Sequence, residues 1–87
     1  MLKVIVSVKD TVADVFNDPR VEINVASAIR AFSHSVADSV HKDDYSLYQI
    51  GTMDTSNGEV LPNEPVRLCS GHDVQANNVQ PIQDAQA

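Results

Sequence analysis

The sequence predicts an α+β domain: a small antiparallel sheet in β-β-α-β-β order, one helix packed on one face, and a flexible C-terminal tail. Three observations carry this. Residues 2–8 alternate, residues 25–40 repeat their apolar side chains at intervals of three and four, and Asn57-Gly58 separates two further alternating segments.

In the first segment Leu2, Val4, Val6 and Val8 share one face, and Lys3, Ile5, Ser7 and Lys9 the other, as in a half-buried strand. The run is too short and too regularly interrupted for a signal peptide. Asp10 and Thr11 form a turn, "VADVF" begins a second strand, "NDP" interrupts it, and "RVEIN" alternates again. A second strand is expected there, whole or as two short pieces, ending at Asn24. Asn24 suits a helix N-cap, because its side-chain oxygen can accept from a free amide of the first turn. Val25, Ala28, Ile29, Phe32, Val36 and Val40 then form the apolar stripe, which "HKDD" terminates. In the next strand Tyr45, Leu47 and Gln49 face one way, and Ser46, Tyr48 and Ile50 the other. Gly51 marks a bulge or a close contact with the helix. Asn57-Gly58 predicts a tight hairpin with both residues at positive φ. The return strand runs through Glu59 and Val60, pauses at "PNEP" and resumes with Val66 and Leu68 inward, its prolines marking an edge. Residues 1–71 are expected to form one domain. Residues 72–87, rich in Gln and Asn, read as a disordered tail.

An 87-residue chain supports one core, and with a single cysteine it has no internal disulfide to reinforce it. Self-association, as a homodimer or higher homo-oligomer, is the expected remedy. Twelve acidic residues against six basic ones give a net charge of −6, which opposes coating of nucleic acid by bulk charge but leaves a local cationic surface open. No apolar stretch is long enough to span a bilayer, so the protein is expected in a reducing cytoplasm with no membrane partner.

The chemistry-bearing residues form no catalytic pattern. Arg30, His34, Asp38 and His41 would line one helical side, with metal-ligand spacing for the last three, but such a row is ordinarily a solvated face, and no metal is expected. Asp38, Asp43, Asp44 and Asp54 fall in polar connectors rather than an enclosing cleft. "DTSNGEV" lacks the ligands of a calcium loop. Cys69 has no histidine placed beside it, Ser33 and Ser35 belong to no nucleophile elbow, and three glycines build no phosphate loop. No cofactor and no catalytic residue is assigned, and enzyme is the class with least support. What remains is a nucleic-acid candidate: Lys3 and Lys9 share the outer face of the first strand, Arg67 lies opposite Val66 and Leu68 on the last, and Tyr48 lies opposite Leu47, so that if these outward faces coincide the sheet carries a cationic surface with a tyrosine that can stack on single-stranded bases. The competing expectation is that these are solvated strand residues.

"AIRAFSHSVAD", followed by "KDDYSLYQIGTMDTSNGEV", resembles the small nonstructural protein of gokushovirus-type microviruses, which are circular single-stranded DNA phages. That family shows an alternating first strand, a helix reading A-[IV]-R-A-F, an acidic linker, an aromatic DY-x-L strand, IG, and a hairpin closed by D-x-x-x-G. Here these fall at Ala28 to Phe32, Asp44 to Leu47, Ile50-Gly51 and Asp54 to Gly58, in order, over about half the chain. The chain departs from the family at "VFNDPRVEIN", where members often carry an aromatic, proline-containing stretch. The resemblance implies a non-enzymatic role in synthesis or packaging of a single-stranded genome, by analogy with the small packaging-switch protein of related microviruses. The implied partners are the phage replication protein or the procapsid, together with single-stranded DNA, in the host bacterial cytoplasm. The alternative is a structural protein retained in or on the virion.

Overall fold

The computed structural model describes residues 1–75, and the remainder of the expected tail lies outside the described residues. The elements run β1 (Leu2–Asp10), β2 (Val15–Phe16), β3 (Arg20–Glu22), α1 (Val25–Val36), β4 (Tyr45–Asp54) and β5 (Val60–Ser70), with 3-10 turns at Lys42–Asp44 and Gly71–Asp73. They form one curled antiparallel sheet, ordered β2-β1-β4-β5, in which β3 also pairs with β1. The expected second strand is thus two short pieces on the same edge of β1. Lys9 and Asp10 lie opposite Phe16 and Val15, and residues 4–6 lie opposite 20–22. Between the pieces stands Pro19, which has no amide hydrogen for the ladder.

The helix starts where Asn24 predicts. Asn24 is extended, and its Oδ1 accepts from the Ser27 amide at 2.8 Å. Ala28, Phe32 and Val36 recur every fourth residue, so they form one buried stripe. They pack with Val6 and Leu47 in a core that Val4, Val8, Ile29, Tyr45, Leu68 and Cys69 extend. Val74 belongs to this core too, so packing continues beyond residue 71.

Several expectations are corrected. The helix ends at Val36 rather than at "HKDD", and Val40 is 91% exposed. His34, Asp38 and His41 therefore do not share a helical side. Val66 is 55% exposed rather than inward. Val66 lies on the edge strand opposite Gln49 and Leu61 lies opposite Thr52 toward the hairpin, and neither joins the core. Gly51 approaches β5 rather than the helix: a Cβ there would lie 2.6 Å from the carbonyl oxygen of Leu61. It also borders the expected bulge, because Ile5 faces Gly51 while Val6 faces Gln49 and Ile50 is left over. The hairpin loop is not a two-residue turn with two positive φ angles. Only Gly58 has one (76°), its amide bonds the Asp54 carbonyl, and Ser56 donates to Asp54 Oδ1. Residues 55–59 therefore form a longer loop fixed by an aspartate.

Candidate nucleic-acid interface

The outward face of the sheet is set by strand register. Lys9 pairs with Phe16 on one side and Ser46 on the other, Ser7 pairs with Tyr48, and Tyr48 pairs with Arg67. Paired residues of antiparallel strands project to the same side, so Phe16, Lys9, Tyr48 and Arg67 lie in a band across β2, β1, β4 and β5. Three strand intervals of about 4.8 Å make that band about 14 Å wide. Lys3, opposite Met53, shares the face but sits six residues from Lys9, about 20 Å along β1. The register thus groups Lys9, Tyr48 and Arg67 and leaves Lys3 at the far end.

The same pairings separate charge through the sheet. The outward positions are Lys3, Ile5, Ser7 and Lys9 of β1 with their partners Phe16, Val21, Ser46, Tyr48, Gly51 and Met53, and on β5 Val60, Pro62, Arg67 and Ser70. None of these is acidic. The helix-side positions, by contrast, include Asp10, Glu22 and Asp54. In a chain of net charge −6, three of the six basic side chains stand on a sheet face whose paired strand positions carry no carboxylate; the exposed Glu64 of β5 lies in the irregular stretch between the Gly51–Pro62 and Gln49–Val66 pairs, opposite no residue of β4.

Phe16 is the residue sequence reasoning missed. Its ring meets that of Tyr48 edge to face, with centroids 5.3 Å apart and planes at 78°. Lys9 Nζ lies 5.5 Å from the Phe16 centroid, close enough for a cation–π contact, and 3.2 Å from Asp14 Oδ1. The connector that carries Phe16 is exposed yet pinned at both ends. Thr11 donates through its amide and its hydroxyl to the Asp44 carbonyl, at 2.8 and 2.9 Å. Asp10 Oδ1 accepts from the Val12 and Ala13 amides. At the other end the buried Ser7 hydroxyl donates to the Asn17 carbonyl at 2.7 Å, and the Asn17 amide donates to Val8. The one available sequence signal was an aromatic at the close of "VADVF"; its position opposite Lys9 follows only from the register.

The other candidate groups lie elsewhere. Cys69 is half-buried against the core, and burial, followed by the nearby Asp73 carboxylate, pushes its thiol up from the ordinary value. That favours the neutral, unreactive form. His41 and His72 stand 3.8 and 3.6 Å from Asp44 and Asp43 as exposed pairs. No helix among the described residues is long and apolar enough to cross a membrane.

Sheet, helix and cation-aromatic face together define a small α+β protein whose most distinctive surface is one side of its sheet. Residues 3–74 match the family described as phage ORF5 protein, and the chain belongs to that family. No curated protein and no solved structure matches it.

Proposed function

We propose that this phage protein is a non-enzymatic factor in the synthesis or packaging of a single-stranded genome, as its resemblance to the gokushovirus-type nonstructural protein implies, and that it contacts single-stranded DNA through the outward face of its sheet. The observation that carries this reading is the charge separation: Lys3, Lys9 and Arg67 project from the face that bears Phe16 and Tyr48, while the paired strand carboxylates Asp10, Glu22 and Asp54 project from the other. Cations can neutralise phosphates and rings can stack on unpaired bases, a combination suited to single strands and indifferent to sequence. With few phosphate contacts, the salt dependence is shallow. The acidic remainder of the surface directs it away from non-specific duplex coating and toward protein partners, for which the phage replication protein and the procapsid are the candidates.

Fluorescence anisotropy with a labelled oligonucleotide tests the DNA contact. Binding of single strands in preference to the matching duplex supports it, and no binding at about 50 µM protein, the weak end of non-specific affinities, removes it. The alternative reading, a protein retained in or on the virion, predicts stoichiometric recovery by mass spectrometry of purified particles.

A further inference from the structure

We propose that Phe16 and Tyr48 form a subsite for one nucleobase of a single-stranded chain, and that Lys9 takes the adjoining phosphate in exchange for Asp14. This rests on the proposed single-strand contact and names the residues that make it. A lone exposed tyrosine is an ordinary strand residue, but two rings in edge-to-face contact form a notch in which a base can lie on one ring while its edge meets the other. Phe16 is 43% exposed, so ring surface remains open to a ligand. The hydrogen bonds of Thr11 and Ser7 hold its short strand in place, so little ordering cost falls on binding.

The electrostatics of the notch are already arranged for an anion. Lys9 Nζ stands beside the Phe16 ring and is paired with the Asp14 carboxylate. Asp14 has a φ of 59°, a left-handed conformation that costs free energy for any residue with a side chain, and it is the one non-glycine residue among the described residues to adopt it. The turn brings back to Lys9 a carboxylate that the paired outward strand positions lack. The Asp14 side chain is 83% exposed, against 27% for Lys9, so the carboxylate is the solvent-facing member of the pair and an incoming phosphate oxygen can displace it. In the free protein the carboxylate therefore occupies the place that a phosphate takes in the complex. Arg67, on the far side of Tyr48, is placed for the next phosphate along the band.

The test uses the full chain, an oligothymidine carrying one 2-aminopurine, and four variants of matched design. Phe16→Leu keeps an apolar side chain and removes the π face, and should weaken binding by about 5- to 160-fold, the range expected for one base stack. It should also abolish the fluorescence change of the bound 2-aminopurine. Phe16→Tyr, which keeps the ring, should bind within about threefold of wild type. Asp14→Asn tolerates the left-handed backbone and frees Lys9, whereas Glu59→Gln removes the same charge at the hairpin, about 20 Å away. Asp14→Asn should therefore raise affinity by more than Glu59→Gln does. If the wild type binds and Phe16→Leu binds equally well with the same fluorescence change, the subsite is overturned while the broader single-strand reading stands. Equal gains from the two charge variants overturn the exchange at Lys9. No binding by the wild type overturns both this inference and the DNA contact on which it rests.

Discussion

Gly71→Ala should be among the most damaging small substitutions in the protein, although Gly71 has an unremarkable φ and lies outside every regular strand. A Cβ built at this position would sit 1.8 Å from the Lys42 carbonyl oxygen and 2.7 Å from its carbon. Both are backbone atoms, so no side-chain rotation relieves the clash. The 3-10 turns at Lys42–Asp44 and Gly71–Asp73 would have to separate by about 1.5 Å to restore ordinary contact. That movement acts on the Lys42 ammonium, which donates to the carbonyls of Val74 and Gly71, and on Val74, which the second turn delivers to the core. Hydrogen bonds from a charged donor contribute about 1.5–3 kcal/mol, and full burial of a valine contributes a similar amount. Partial loss of both gives an expected destabilisation of about 2–5 kcal/mol, out of the about 4–11 kcal/mol a domain of this length possesses. Thermal unfolding followed by far-UV circular dichroism should show a fall in Tm of at least about 8 °C. Gly58→Ala is the comparison. With φ at 76° and nothing within 4 Å of the added carbon, it should cost only the backbone term of about 1–2 kcal/mol. A Gly71→Ala variant that melts within about 2 °C of wild type would refute the docking of the two turns.

Three further outcomes are expected. Phe32→Ala, which empties a core site only 3% exposed, should cost about 3–5 kcal/mol in urea denaturation, and a loss below about 1 kcal/mol would contradict the assigned helix face. Asp54 accepts from the Ser56 hydroxyl and amide, which, with a weaker contribution from the N-terminal amine, hold its carboxyl below the ordinary range. Its folded pKa is therefore depressed, so its stabilisation is present above the ordinary carboxylate value and disappears as pH falls through the lowered one; Asp54→Asn should flatten that acid limb, and an unchanged pH profile would count against it. The open edge of β5, with Val60, Leu61 and Val66 exposed, predicts self-association, and light scattering at high micromolar concentration should show a species larger than the 9.5 kDa monomer.

The elements most legible in the sequence are those whose partners are local. The alternation of β1, the Asn24 cap and the Ala28, Phe32, Val36 stripe each depend on neighbours within a few residues, and each stands where the sequence places it. The errors arise where a distant element decides. Val40 continues the helical period, but the chain leaves the helix after Val36, so the residue faces solvent. Val66 alternates correctly and still lies exposed, because it stands on the edge strand β5 opposite Gln49, outside the core that α1 forms with Val6 and Leu47. Val74 stands in the Gln- and Asn-rich segment that composition reads as a tail, and only the docking of two 3-10 turns carries it to the core. The outward face behaves likewise. Lys9, Tyr48 and Arg67 could be assigned a side of their strands from alternation, yet their assembly into one band, the distance of Lys3 from it, and the arrival of Phe16 at its edge all depend on register across β2, β1, β4 and β5.

The most direct measurement compares two double substitutions that remove the same charge from opposite sides of the sheet. Lys9→Gln with Arg67→Gln strips the outward band. Arg20→Gln with Arg30→Gln removes two exposed cations from the helix side, where Arg20 lies opposite Val6 and Arg30 lies on α1. In fluorescence anisotropy with single-stranded DNA at low salt, the first pair should lose about tenfold or more in affinity, equivalent to about 1.4 kcal/mol, and the second should stay within about threefold of wild type. Equal losses from the two pairs would mean that only overall charge matters and would contradict a binding face on the sheet.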